Sequence, residues 1–104
     1  MFDLSGRTAL VTGASGGIGS AIAKALAAQG ARVALSGTRE EALNAVAAEI
    51  GGDTVVLPCN LGDAEAVDGL VPRAVEALGG KLDILVNNAG VTRDNLVMRM
   101  KDEE

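Results

Sequence analysis

The 104-residue chain has no histidine, tyrosine or tryptophan, one phenylalanine, one cysteine and two prolines. Each shortage excludes some chemistry. A single cysteine forms no internal disulfide, and without histidine there is no Cys/His cluster, so no metal site is expected. The same absence removes Ser-His-Asp and Cys-His nucleophilic catalysis from these residues. Positive charge is also scarce: nine Lys and Arg face fourteen Asp and Glu, for a net charge of −5. An acidic chain with one aromatic ring is poorly suited to nucleic acid, which favours basic surfaces and stacking rings. No apolar run approaches the roughly eighteen residues of a membrane-spanning helix, so no membrane partner is expected. The opening residues Met1 to Gly6 lack the basic and apolar regions of a secretory signal, which makes a cytoplasmic location the default.

What the chain does have is small aliphatic side chains, which suit close packing of helices on a sheet. Four apolar runs, Thr8 to Thr12, Arg32 to Ser36, Thr54 to Pro58 and Leu82 to Asn87, do not alternate polar with apolar. Continuous runs of that kind predict strands buried on both faces, as in a parallel sheet. Between them lie helical periods: Ile18, Ile22, Ala25 and Leu26; then Leu43, Val46, Ala47 and Ile50; then Val67, Leu70, Val71, Ala74 and Leu78. Gly30, Gly51-Gly52 and Gly79-Gly80 follow these segments, where a helix C-terminus wants a residue tolerant of positive φ. Asp63 is placed to cap the third helix, with Glu65 in its first turn. Pro72 is discordant there and predicts a kink or a shifted start. The order β-α-β-α-β-α-β, with the start of a further helix near the C-terminus, predicts an α/β fold with a parallel sheet. A leucine-rich solenoid has a similar strand spacing, but its repeat signature is missing.

The segment Thr12-Gly13-Ala14-Ser15-Gly16-Gly17-Ile18-Gly19 follows the first strand directly and opens the first helix. In that context it reads as a phosphate cradle. Gly13 permits the sharp exit from the strand, Gly17 lets backbone approach a pyrophosphate, and Gly19 lets the helix pack closely on the sheet. The helix N-terminus adds unpaired N–H groups and a positive dipole. A P-loop is excluded, because no Lys-Ser/Thr pair closes the motif. At the end of the second strand, where an NAD site usually has a carboxylate for the ribose 2′-OH, the chain reads Ser36-Gly37-Thr38-Arg39. A hydroxyl and a cationic fork, with Ser15 nearby in the turn, predict NADP(H). The competing reading makes Arg39 a solvated first-turn residue beside Glu40 and Glu41. Cys59 reads as a small buried hydrophobe.

The spacing Gly-x-x-x-Gly-x-Gly after Thr12, together with Asn87-Asn88-Ala89-Gly90 at the end of the fourth strand, resembles the two N-terminal motifs of the short-chain dehydrogenase/reductase family. The resemblance covers essentially the whole chain. It implies a Rossmann-type doubly wound sheet whose N-terminal half has strand order 3-2-1-4. It also implies cofactor contacts from Gly13, Ala14, Ser15, Gly16, Gly17, Ile18, Gly19, Thr38 and Arg39. Asn60 and Leu61 would meet the adenine, although Asn60 reads almost equally well as a strand terminator. Asn88, Ala89 and Gly90 would lie by the nicotinamide ribose. Asn87 and Asp83 read as structural, tying the fourth strand to its neighbours.

The stretch from Val91 to Glu104 resembles the segment that follows this block in bacterial 3-oxoacyl-acyl-carrier-protein reductases. Read chemically, it is a helix-starting segment with Leu96, Met98 and Met100 on an apolar surface. The resemblance implies NADPH-dependent reduction of a 3-oxoacyl group carried by an acyl carrier protein, in fatty-acid synthesis, by a homotetramer. It also implies a catalytic Tyr, Lys, Ser and Asn, none of which can be assigned here. The chain contains no Tyr at all. Residues 1–104 are therefore expected to form the N-terminal dinucleotide-binding part of a single Rossmann domain, inactive alone, with an exposed fourth strand. Arg93, Arg99 and Lys101 are candidates for a basic docking patch, or simply a solvated helix end. Other readings are another reductase of the family, a Rossmann methyltransferase, which would normally keep an acid after the second strand, or a non-catalytic nucleotide-binding module.

Overall fold

The computed structural model describes residues 3–60, 64–87 and 96–99. Five strands form one sheet in the order β3-β2-β1-β4-β5. They are β1 (Thr8–Thr12), β2 (Arg32–Gly37), β3 (Val55–Pro58), β4 (Ile84–Asn87) and β5 (Leu96–Arg99). The first four are parallel, with Leu10 opposite both Ala34 and Leu85. This is the expected 3-2-1-4 order of a Rossmann-type sheet.

All five residues of β1 are buried, because the strand has neighbours on both edges and helices on both faces. Successive side chains feed two separate cores. Ala9, Val11, Val33 and Leu35 pack with Ala23, Leu43 and Val46 on one face. Leu10 and Ala34 pack with Leu70, Ala74 and Leu78 on the other. Leu10, Leu35, Leu43 and Leu70 are at most 1% exposed, and burying each contributes about 1.5–3 kcal/mol.

The helices are α1 (Gly17–Ala28), α2 (Glu40–Ile50), α3 (Ala64–Asp68) and α4 (Leu70–Ala77). The predicted stripe holds on α2, where Leu43 and Val46 are buried and Ala47 and Ile50 half-buried. On α1 it needs correction. The residues buried there are Gly19 and Ala23, with Ile22, Leu26 and Ala27 half-buried, while Ala25 is exposed and Ile18 is 65% exposed. Close approach to the sheet selects small side chains, so the contact face is set by Gly and Ala rather than by the largest hydrophobes. The single third helix also divides, at Gly69. Pro72 then falls in the first turn of α4, where its missing N–H has no intrahelical acceptor to lose. Asp63 lies outside the described residues, as does the side chain of Val67.

The C-terminal expectation is overturned. Residues Leu96–Arg99 do not begin a helix; they form a strand antiparallel to β4, with Leu85 opposite Met98. β4 therefore does not stand as an open edge. A strand with unpaired N–H and C=O groups on one side gains a full ladder by this pairing, which outweighs a weak local helical period. Among the described residues no helix is long and apolar enough to cross a membrane.

Candidate dinucleotide-binding site

The carboxyl ends of the parallel strands converge on the glycine-rich turn. Gly13 leaves β1 with φ +67°, a conformation that disfavours any side chain. The turn is held by the Ala14 N–H donating to the Ser36 carbonyl at 3.0 Å, and by the Gly16 N–H donating to the Gly13 carbonyl at 3.2 Å. A Cβ on Gly19 would run into that same Gly13 carbonyl and come within 3.0 Å of Ala14 Cα. Gly19 is therefore a packing glycine. Gly17 is the opposite case, since a Cβ there would meet nothing within 4 Å. Its side of the turn is open backbone.

Helix α1 starts with Gly16 as an extended N-cap that offers no side-chain hydrogen bond, and its first turn has no acidic residue. The Ser20 N–H bonds back to the Gly16 carbonyl at 2.9 Å, so the earlier N–H groups of Gly17, Ile18 and Gly19 have no helical acceptor. Open backbone, free donors and a positive helix end fit the pyrophosphate of a dinucleotide. The exposed Ile18 side chain stands beside them.

The second strand delivers the other part of the site. A Cβ on Gly37 would approach Ser15 Oγ to 3.2 Å, so the turn and the end of β2 lie against each other. Gly37 is thus a site residue not expected from the sequence, where its one signal is a glycine interrupting an apolar strand end. Thr38 and Arg39 follow, both exposed. Arg39 is the N-cap of α2 and accepts the Leu43 N–H on its carbonyl at 3.0 Å. Its guanidinium makes no ion pair among the described residues, although Glu40 and Glu41 occupy the first turn of α2. Arg39, Glu40, Glu41 and Ala42 line a cleft of about 510 Å³.

The third and fourth strands end at the same level. The Cys59 N–H donates to the Gly37 carbonyl at 2.9 Å, which brings the exposed Asn60 beside the end of β2. Cys59 is buried as a small hydrophobe in the core under α4. Thr12 Oγ1 donates to the Val86 carbonyl at 3.3 Å and to Asn87 Oδ1 at 3.2 Å, so Asn87 does tie strands together. Next to Thr12 in register, the Ser36 hydroxyl is fully buried without a partner among the described residues. Leu61, Asn88, Ala89 and Gly90 lie outside the described residues, as do Arg93 and Lys101. No group of His, Cys, Asp or Glu among the described residues is arranged to hold a metal.

Comparison with known proteins agrees with this geometry. The family model described as short chain dehydrogenase matches residues 7–104. Nodulation protein G of Rhizobium sp. (strain N33) is 55% identical over the whole chain, which covers 42% of that protein. The 3-oxoacyl-acyl-carrier-protein reductase FabG of Escherichia coli (strain K12) is 48% identical over 98% of the chain and 41% of its own length. Among solved structures, the Pseudomonas aeruginosa RhlG/NADP active-site complex is 42% identical, with a TM-score of 0.76 over 86% of this chain and 37% of that one. The chain thus spans about two fifths of the length of the curated relatives it matches. With the family match running over nearly all of its residues and the glycine turn seated at the head of a 3-2-1-4 sheet, the chain belongs to the short-chain dehydrogenase/reductase family of oxidoreductases.

Proposed function

We propose that this chain forms the cofactor-binding part of an NADPH-dependent reductase of 3-oxoacyl groups carried on an acyl carrier protein. The observation that carries the cofactor choice is the end of β2. It offers Thr38, Arg39 and the adjoining Ser15 hydroxyl, and no carboxylate precedes α2 to repel a 2′-phosphate. The acyl-carrier substrate is favoured by several relatives named 3-oxoacyl-acyl-carrier-protein reductase, at 43–49% identity over essentially the full chain.

In this reading the free N–H groups at Gly17 and Ile18 bind the pyrophosphate, and Thr38 and Arg39 hold the 2′-phosphate. Asn60 and Leu61 hold the adenine. Asn88, Ala89 and Gly90 make room at the nicotinamide ribose. NADPH, when bound, supplies the hydride for the ketone carbon. The Tyr, Lys and Ser that the family resemblance implies for proton transfer are not assigned within this sequence. A cytoplasmic homotetramer that meets the acyl carrier protein through its remaining surface completes the proposal.

The more similar nodulation protein G relatives favour a second reading, in which the same cofactor site serves another reductase of the family. Steady-state kinetics on the complete protein test both. The proposal expects a clear KM preference for NADPH over NADH and turnover of a 3-oxoacyl carrier thioester. Preference for NADH sinks the cofactor assignment. Failure to reduce the thioester, with NADPH binding intact, favours the second reading.

A further inference from the structure

The opposite, amino-terminal end of the sheet holds a second cleft, of about 450 Å³, lined among others by Arg7, Arg32, Lys81, Gly30, Gly79 and Gly80. In a chain with only nine basic residues and a net charge of −5, three of the nine converge there. They come from three separate places: the approach to β1, the start of β2 and the approach to β4.

Two ordinary explanations leave most of this charge unanswered. The first is pairing with Asp83, the carboxylate at this end of the sheet. Its Oδ2 accepts the Thr8 N–H at 2.9 Å and lies 3.2 Å from Lys81 Nζ, while Oδ1 is 3.9 Å from Arg7 Nη1. Arg32 has no carboxylate partner among the described residues. Asp83 against three cations leaves an excess of two in this cleft, since Asp53, which lines the adjoining cleft with Arg32, makes no ion pair with it. The second explanation is that the cations cap the carboxyl ends of α1 and α4, which open onto the same cleft. Those ends are already closed by backbone: the Gly30 N–H donates to the Ala27 carbonyl at 2.9 Å, and the Gly80 N–H to the Val75 carbonyl at 2.8 Å.

The walls suit a ligand. The wall is open backbone at Gly80, where a Cβ would meet nothing within 4 Å, whereas Gly30 is closed by Ser5, whose Oγ would lie 2.8 Å from a Cβ there. The guanidinium of Arg32 reaches across to Gly79, with Nη1 3.8 Å from where a Cβ would stand. We propose that this cleft binds a phosphate dianion, free or as the head of a small phosphomonoester, between Arg7, Arg32 and Lys81. A dianion matches the excess of two positive charges. Its three terminal oxygens can serve two guanidinium forks and an ammonium together, which the two oxygens of a carboxylate cannot.

The test is a titration of the isotopically labelled complete protein, followed by residue-resolved NMR, with inorganic phosphate and separately with glycerol 3-phosphate. The expected result is saturable amide shifts at Gly30, Gly79, Gly80 and Lys81. Tighter binding of glycerol 3-phosphate identifies the phosphomonoester as the ligand class, and equal binding identifies free phosphate. Arg32→Gln, at an exposed position, is expected to weaken the binding about tenfold or more, as loss of hydrogen bonds to a charged group does. Lys81→Gln is expected to act in the same direction. Shifts confined to Gly13 through Gly19 report the cofactor cradle and overturn the second site without touching the cofactor reading. Shifts reproduced by sodium chloride at matched ionic strength, or unchanged in a folded Arg32→Gln chain, overturn it as well.

Discussion

The two ends of the parallel sheet are finished in opposite ways. At the amino-terminal end, polar groups are turned on one another. Thr8 donates its N–H to Asp83, its hydroxyl bonds the Lys81 carbonyl at 2.9 Å, and the Asp83 N–H returns to Thr8. The Asp83 side chain is only 11% exposed. At the carboxyl-terminal end, α1 begins with no capping side chain and no acid in its first turn, and Gly17 faces open space. Helix α2, one strand away, has Glu40 and Glu41 in its own first turn. Groups satisfied within the chain contribute to stability, whereas donors left over at a helix start are available to an anion. Substitutions at the Thr8–Asp83 pair and at the glycine turn should therefore separate folding from dinucleotide binding.

The largest effect is expected where the two roles meet. Gly19→Val places a side chain against the Gly13 carbonyl, which is main chain and cannot swing aside. We expect a loss of about 3 kcal/mol or more in urea denaturation, with cofactor binding abolished in whatever remains folded. A near-neutral Gly19→Val would show that the start of α1 does not rest against the Gly13 carbonyl.

Next comes Asp83. Asp83→Ala leaves the buried Thr8 N–H without its acceptor, at an expected cost of about 1–3 kcal/mol and with no change at the glycine turn. Its titration makes the same point through pH. Burial opposes the Asp83 charge, but the Thr8 N–H, Lys81 and the Thr8 hydroxyl outweigh it and hold the carboxyl below its ordinary value of 3.8. A depressed folded value means the native state binds fewer protons than the unfolded one. The stabilisation is therefore full above the ordinary value and is lost as pH falls through the folded one. Acid unfolding should begin below about pH 4, and Asp83→Asn should flatten that limb of the stability curve.

How much of this was legible in the sequence depends on whether the deciding interaction is local. Strands β1 to β4 were, because continuous apolar runs such as Ala9-Leu10-Val11 mark strands covered on both faces. That cover is full only in the interior strands β1 and β2 and partial in β3 and β4, whose residues are mostly half-buried. Pro72 was legible as a break because its missing donor is a local property. The packing face of α1 was misread, since Gly19 and Ala23 carry little weight in a hydrophobic period yet are what close approach requires. β5 was misread because its pairing answers a need of β4, not of its own residues. In the site, the roles of Gly13 and Gly19 follow from spacing after a strand. Gly37 was missed because its constraint is the Ser15 side chain, brought there only by the fold. The convergence of Arg7, Arg32 and Lys81 was invisible for the same reason.

Arg39 tests the binding end alone. Arg39→Gln in the complete protein is expected to raise KM for NADPH by about 10- to 100-fold, the loss of hydrogen bonds to a charged phosphate, while KM for NADH hardly moves. Equal effects on both cofactors would return Arg39 to the role of a solvated N-cap of α2.

The smallest effect is the most discriminating. Gly17 is the first residue of α1, and a Cβ there touches nothing, so Gly17→Ala removes backbone freedom from the unfolded chain without straining the folded one. Stability should stay level or rise by about 0.5 kcal/mol in urea denaturation. Binding should move the other way, because the same methyl group occupies the space through which a pyrophosphate would reach the Gly17 and Ile18 N–H groups. A variant that is at least as stable yet binds the dinucleotide more weakly shows that the glycine is kept for the ligand and not for the fold. If stability and affinity both stay unchanged, the open side of the turn is not where the pyrophosphate sits, and the division between a Thr8–Asp83 pair that serves the fold and a glycine turn that serves the dinucleotide loses its main support.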